Sequence, residues 1–357
     1  MRTIFRCAAA SGALALLPVL PGAAAAKGTV PPAPTVPAPT TPAPVPPAPA
    51  PAAGKIRLVL QKVGGRPLFT IAGRRFVVRG IVVPYVAGQT VKLSLYRDGR
   101  KVGVKTVSVL PVGNGAGQFH VGITSHYSGL MQVRAAHYAT AQQAAFSGRS
   151  HSLRVVNPNV GPGSSGSSVR LLQSELGNLH YVVPLSGVFD EATGRALIAY
   201  RKMENLNRIA SSGQEVFVRL LHGFGGFPVR YRHDGRHVEA NLTKQVLAEI
   251  EPGGRVHAIY TMSSGKPSTP TVIGRFTVYS KTPGTNTEGM VDSNYFIRGY
   301  AIHGYAEVPT YAASHGCLRV PIPNAAAIYS WVQYGTPVDV YNESGGGSTH
   351  VRGNAGP

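Results

Sequence analysis

Between residues 55 and 156 the apolar residues come in short runs, each punctuated by Gly or Pro, so this stretch is restricted to brief strands joined by turns. The runs cover 56–63, 75–83, 90–96, 101–110, 117–124 and 129–137. In VKLSLYRDG, Val91, Leu93 and Leu95 fall on one face and Lys92, Ser94 and Tyr96 on the other, and Asp98-Gly99 follows as a hairpin signal. The pattern predicts an antiparallel, immunoglobulin-like β-sandwich over 55–156. No cluster of reactive side chains stands out in it.

The segment before this region reads as an export signal and a spacer. Arg2 and Arg6 precede an apolar run over 8–20, and Ala24, Ala25 and Ala26 supply small residues for cleavage, which predicts a signal peptide at 1–26 and a protein acting in the cell wall, periplasm or extracellular space. The run holds Pro18 and falls short of the roughly 20 residues that a membrane-spanning helix needs, although an uncleaved signal would act as an anchor. Pro, Ala and Thr then dominate a linker at 27–54, a composition that favours extended polyproline II. Gly, Ser and Pro mark a second linker at 157–168, and 343–357 reads as a disordered tail.

Charge and cysteine content narrow the partners and the chemistry. Lys+Arg number 35 against 15 Asp+Glu, a formal charge of +20. An anionic partner follows, and for an exported chain that means wall polymers or lipid head groups. No nucleic-acid-binding module is recognisable, so nucleic acid is excluded. The basic residues are spread along the chain, which also fits an ordinary solvated surface. Of the two cysteines, Cys7 lies in the signal, and Cys317 alone remains after processing. A single thiol in an oxidising compartment points to reactivity or to intermolecular pairing, with a small buried hydrophobe as the other reading.

A helical region is predicted at 169–210. Val169, Leu172, Leu176 and Leu179 recur at helical spacing with Ser168 as the N-cap, and a second helix starts near Asp190 and buries Ala196, Leu197 and Tyr200. Leu172-Gln173, Leu176, Leu179, Tyr181, Gly187, Phe189-Asp190, Thr193 and Ala196-Leu197 resemble the small three-helix peptidoglycan-binding module. That resemblance implies glycan as a partner, beside a purely packing role for the same residues.

Residues 236–342 read as a β-rich domain that contains AIHGYAEVPTYAASHGCLRVP. A thiol is a strong nucleophile only as thiolate, and His303 and His315 are the candidate bases. Gly316 allows a tight turn in which the N–H groups of His315, Gly316 and Cys317 form an oxyanion hole. The Ile-His-Gly step and the Ser314–Arg319 run, SHGCLR, with Ser264-Gly265-Lys266, Thr269-Pro270-Thr271 and Gly274-Arg275-Phe276 upstream, resemble the YkuD-type L,D-transpeptidase catalytic domain. Val272 stands where the family's Thr-Pro-Thr-Pro turn has its second Pro.

The resemblance implies that His303 is the base, with its second ring nitrogen held by the carbonyl of Gly304. It also implies that Ser314 and His315 shape the site and that Arg319 lies in the substrate pocket, where a guanidinium can grip a carboxylate with two parallel bonds. The reaction implied is attack by Cys317 on a peptidoglycan tetrapeptide stem, loss of D-Ala to leave a thioester, and transfer to an amine in a 3→3 cross-link. Water as acceptor makes the same site an L,D-carboxypeptidase, and a noncatalytic wall-binding protein is the rival from another class. No cofactor is implied. Metal binding is not expected either, since His303, His315 and Cys317 fit no zinc spacing and lack a fourth ligand. His222, His233 and His257 read as structural. The fold expected is thus multidomain and mainly β: the sandwich, the three-helix module and the C-terminal β-rich L,D-transpeptidase domain.

Overall fold

Ten strands precede the first helix: β1 Lys55–Gln61, β2 Phe69–Ile71, β3 Arg75–Val83, β4 Thr90–Arg97, β5 Arg100–Ser108, β6 Leu110–Gly113, β7 Ala116–Thr124, β8 Gly129–His137, β9 Phe146–Arg149 and β10 Leu153–Val156. They belong to a computed structural model that describes residues 49–344; the expected signal, most of the 27–54 linker and residues 345–357 lie outside the described residues. One sheet runs β1-β3-β7-β6, and the other β2-β10-β8-β4-β5 with β9 beside β8. Phe76, Val78 and Phe119 of the first sheet meet Val91, Leu93 and Val133 of the second in one core. Alternation produces this packing, because successive side chains of a strand point to opposite faces. The β4–β5 hairpin turns at Asp98 and Gly99, with φ of 49° and 78°, the positive values that a two-residue turn of matching twist requires.

Three helices follow: α1 Ser167–Asn178, α2 Glu191–Met203 and α3 Gln214–Leu221. Asp190 caps α2 by accepting from the Thr193 N–H at 2.8 Å. Ser168 does not cap α1. The N-cap is Gly166, and the Ser168 hydroxyl inside the first turn accepts from Asn157 N–H at 3.1 Å, which ties the preceding segment to the helix. Helix α3 lies beyond the 169–210 bounds expected for the three-helix module; its eight residues bury Val216, Phe217, Leu220 and Leu221.

The C-terminal region comprises β11 His237–Asn241, β12 Val246–Glu251, β13 Arg255–Thr261, β14 Gly274–Thr277, β15 Ser280–Thr285, β16 Val291–Ile297, β17 Tyr300–Tyr305, β18 Leu318–Pro321, α4 Ile322–Trp331 and β19 Pro337–Tyr341. Its sheets, β13-β12-β11-β19-β14 and β15-β16-β17-β18, enclose a core that includes Val238, Leu247, Phe276, Phe296, Ile302, Leu318 and Val338. Glu343, assigned from sequence to the tail, is held instead: Asn241 donates to its carboxylate at 3.1 Å, and its N–H donates to Thr243 Oγ1 at 2.9 Å.

The helices are not a bead on a string. A single core joins Phe69, Ile71 and Val156 of the sandwich to Leu172, Leu176, Leu197, Tyr200 and Phe217 of the helices and to Val246, Ala248, Ile250 and Ile259 of β12 and β13. Removing a large side chain from a core costs both its transfer energy and a cavity. Leu197→Ala is therefore expected to destabilise by about 2–5 kcal/mol. Because the core is shared, the unfolding midpoint read from Trp331, the only tryptophan, should fall together with the helical circular dichroism signal. A Trp331 transition that stays in place would mean that the helices fold separately.

Candidate active site

Strands β17 and β18 run parallel with His303 opposite Arg319, so the residue just before β18, Cys317, lies at the mouth of this pair. His303 is buried at 2 % exposure while Cys317 is half-buried. Gly304 lets α4 pack directly behind the His303 strand, since a Cβ there would lie 2.7 Å from that of Ala325.

The imidazole of His303 has a defined polarity. Its Nδ1 lies 2.9 Å from the Gly304 carbonyl. A carbonyl only accepts, so Nδ1 carries the proton and Nε2 is left with the lone pair. The ring meets Tyr305 edge-to-face at 5.7 Å, and the Arg319 guanidinium sits 4.0 Å over the Tyr305 ring. Burial lowers the His303 pKa from 6.5, the Gly304 carbonyl opposes this, and the Arg319 charge lowers it further. The imidazole therefore favours its neutral form at physiological pH.

Cys317 rests as a thiol. Its S–H donates to the Gly299 carbonyl at 3.5 Å rather than to the imidazole. Burial pushes its pKa above the ordinary 9.0, against smaller opposing contributions from a hydrogen bond with the Ala301 backbone and from the Arg319 charge. Thiol and imidazole are thus both uncharged at rest, and an ion pair forms only when the proton moves between them.

The turn carrying the sulfur is built from the inside. Ser314 Oγ accepts from the Gly316 N–H at 3.0 Å and donates to the Cys317 carbonyl at 2.6 Å. The Gly316 N–H, counted from sequence among the oxyanion donors, is thereby used within the turn. Gly316 adopts a φ of 128°, and a Cβ on it would lie 2.3 Å from the Tyr300 ring, so both conformation and space require glycine.

Segment 263–271 clamps this turn from outside. Ser263 and Arg319 exchange backbone hydrogen bonds at 2.9 and 3.0 Å, and the Ser264 carbonyl accepts from the N–H groups of Ala313 and Ser314 at 2.8 and 2.9 Å. The Ser314 carbonyl accepts from Lys266 N–H at 2.9 Å and from Thr269 Oγ1 at 3.1 Å. Thr271 Oγ1 accepts from Gly265 N–H at 2.8 Å and donates to the Gly316 carbonyl at 2.7 Å. Lys266 Nζ lies 3.3 Å from His315 Nε2, which engages that imidazole and separates its role from that of His303.

Helix α2 and the segment after it support the clamp. Gln245 accepts from Ser264 N–H at 2.8 Å and donates to Ser264 Oγ at 2.7 Å. The Gln245 carbonyl in turn accepts from Lys202 Nζ at 3.0 Å, and the same ammonium donates to Thr261 Oγ1 at 2.7 Å and to the Met262 carbonyl at 2.9 Å. Burial, with the Arg208 charge, lowers the Lys202 pKa to about 7. Arg208 donates to the Thr310 carbonyl in the loop that leads to Ser314.

The structure therefore brings together Cys317, His303, Gly304, His315, Gly316, Ser314 and Arg319. His257 lies elsewhere, stacked on Trp331 at 5.8 Å. Lys202, Arg208, Gln245 and Tyr300 stand outside the motifs that mark the site in sequence, and Lys266, Thr271 and Tyr305 stand within them without an assigned role. Among the described residues, no group of three or more His, Cys, Asp or Glu side chains could hold a metal ion.

A buried imidazole on β17 and a half-buried thiol in the hydrogen-bonded turn that leads into β18 are thus carried by paired strands. Residues 235–340 match the YkuD family, the L,D-transpeptidase catalytic domain. The chain is similar to an L,D-transpeptidase from Xylanimonas cellulosilytica, with 32 % identity over 52 % of this chain and 98 % of that one and a TM-score of 0.47. An L,D-transpeptidase from Stackebrandtia nassauensis aligns at 18 % identity over 54 % of this chain and all of that one, with a TM-score of 0.35. One from Mycobacterium tuberculosis aligns at 20 % identity over 30 % and 57 %, with a TM-score of 0.28. The search of curated proteins gave no match. The chain belongs to the YkuD-type L,D-transpeptidase family.

Two measurements probe this geometry. Thr271→Val leaves the Gly265 N–H and the Gly316 carbonyl unpaired, so a loss of about 1–3 kcal/mol is expected in denaturant titration. Alkylation of Cys317 by iodoacetamide, followed by intact mass, should keep accelerating as pH rises past the roughly 8.5 midpoint of an exposed thiol. A midpoint below that value would contradict a neutral resting pair.

Proposed function

We propose that the protein is a peptidoglycan L,D-transpeptidase with Cys317 as nucleophile and His303 as base. The observation that carries this reading is the His303–Gly304 contact, which leaves an unprotonated Nε2 in the strand beside the sulfur. Family membership supplies the substrate class, the peptide stems of peptidoglycan.

The Cys317 proton passes to His303 Nε2, and the thiolate attacks the carbonyl carbon of the third residue of a tetrapeptide stem. Charge on the resulting oxyanion is met by the main-chain N–H groups of His315 and Cys317, one donor of this kind being worth about 2.7–4 kcal/mol in the transition state. Collapse breaks the bond to D-Ala, whose nitrogen takes the proton from His303 as it leaves. A thioester on Cys317 remains. The amine of a neighbouring stem then attacks it and passes a proton to His303, and the sulfur departs as thiolate with a 3→3 cross-link formed. Water in place of the amine yields a tripeptide, the L,D-carboxypeptidase outcome.

Arg319 serves twice in this scheme. Stacked on Tyr305, its guanidinium is held in a fixed plane for a substrate carboxylate, and its charge favours thiolate over thiol. We further read residues 1–26 as an export signal, the sandwich as immunoglobulin-like and the helices as a peptidoglycan-binding-like module that also packs against the catalytic domain. No helix among the described residues is long and apolar enough to cross a membrane.

Purified tetrapeptide muropeptides provide the test. Incubation should release D-Ala and produce 3→3 dimers together with tripeptides. Cys317→Ser should abolish both products, and His303→Ala should slow them by about 10²–10⁴-fold, the usual contribution of a general base. Activity should fall as pH drops through the lowered pKa of His303, because a protonated imidazole cannot accept the thiol proton. Undiminished turnover by the Cys317→Ser protein would exclude the mechanism.

A further inference from the structure

Basic residues occur throughout the sequence, but the balance of charge is markedly one-sided in the sandwich. Residues 55–156 hold fifteen of the 35 Lys+Arg and a single acidic residue, Asp98. That carboxylate is committed to the β4–β5 turn, where it accepts from Leu130 N–H at 2.8 Å. The sandwich therefore has no acid to neutralise the outer face of its β4-β8-β9 sheet.

On that face Arg134 of β8 is paired directly with Arg149 of β9. Like charges directly opposite one another destabilise a sheet. Here Arg134 stacks 4.4 Å over the Tyr96 ring, and Lys92 lies 5.6 Å from that of Tyr138. A groove of about 610 Å³ is lined by Lys92, Ser94, Tyr96, Arg134, Tyr138 and Arg149. A second groove of about 610 Å³ adjoins it, sharing Lys92 and Tyr138. Gln89 and His137 line that second groove, both more than nine-tenths buried, and Gln89 Oε1 and His137 Nε2 have no protein donor. His137 Nδ1 donates to the Thr90 carbonyl at 3.0 Å, so Nε2 is an acceptor.

We propose that this double groove, along the outer face of β4, β8 and β9 and across the loops at its end, binds a linear anionic polysaccharide, with sugar rings against Tyr96 and Tyr138, acidic groups on Arg134 and Arg149, and hydroxyls directed to His137 and Gln89. Each element of the face matches one property of such a polymer. Cations with no carboxylate beside them attract an anion, aromatic rings offer a flat apolar surface to a sugar, and unpartnered acceptors suit a ligand rich in hydroxyl donors. A linear shape follows from two grooves that run into each other. A bilayer surface fits less well, since around the two tyrosine rings the first groove is lined by Lys92, Ser94, Arg134 and Arg149, with alanine as its only aliphatic side chain to enter lipid.

The test measures binding of the full chain by titration calorimetry at fixed salt. The probes are polygalacturonate for carboxylate-bearing sugars, a poly(glycerol phosphate) teichoic acid for phosphodiester-bearing ones, neutral dextran, and phosphatidylglycerol vesicles. Binding of either anionic polymer, with dextran bound far more weakly, is expected, and the stronger of the two identifies the acidic group. Arg134→Gln with Arg149→Gln should weaken that binding by about tenfold or more, the loss expected for charge-assisted contacts. Tyr138→Ala should weaken it as well. The matched control, Arg75→Gln with Arg79→Gln, removes two charges from the outer face of β3 in the opposite sheet and should change affinity by less than about threefold. Equal losses in the two double variants would reduce the effect to overall charge and overturn the proposal. Binding to the vesicles without binding to either polymer, or dextran bound as tightly as polygalacturonate, would also overturn it. Removing a like-charge pair should not destabilise the fold, and D-Ala release from tetrapeptide muropeptides by the same variants reports separately on the catalytic domain.

Discussion

The reactive turn depends on one side chain, the Ser314 hydroxyl, which accepts from Gly316 and donates to the Cys317 carbonyl. With both of its roles satisfied inside the turn, the backbone on either side of the sulfur is fixed before any substrate arrives. For the proposed acyl transfer that matters, because donors already in place accelerate such a reaction and a turn that had to reorganise would lose much of that gain. Gly316 must be glycine because its φ of 128° and the Tyr300 ring leave no room for a side chain, and its N–H is already taken by Ser314.

Support for Ser314 extends inward in layers. Segment 263–271 surrounds the turn, Gln245 fastens Ser264, and Lys202 of α2 fastens Gln245. A buried ammonium loses hydration, and only three good acceptors around Lys202 offset that loss. The helices share their core with β12 and β13, so the module that resembles a wall-binding unit also forms the back wall of the catalytic domain. Resemblance at Leu172, Leu176, Ala196 and Leu197 is consistent with this, because these are core positions in either role.

Much of the sandwich was legible in the sequence because one buried face per strand imposes a period of two, as in Val91 and Leu93. Strands β2 and β9 were not, being only three or four residues long, and β9 carries Ser and Gly in place of alternation. Helix α3 has the right apolar spacing but only eight residues, too few for periodicity alone to separate it from a loop. At the candidate site, Cys317 and His303 stood out in sequence because a lone mature thiol and an Ile-His-Gly step are uncommon. The residues that fix them were not, because Gln245, Lys202 and Arg208 act through backbone carbonyls and a neighbouring hydroxyl, contacts that leave no local pattern in sequence. Gly316 shows the limit from the other side: a glycine in a tight turn suggests an available N–H, and only the fold reveals that Ser314 has taken it.

Amide hydrogen exchange of the unliganded protein tests the preformed turn most directly. The N–H groups of Ala313 and Ser314, which donate to Ser264, and of Gly316, which donates to Ser314, should be protected to the same degree as those of β17 and β18. Exchange at these three positions as fast as in an open loop, while the two strands stay protected, would contradict the account.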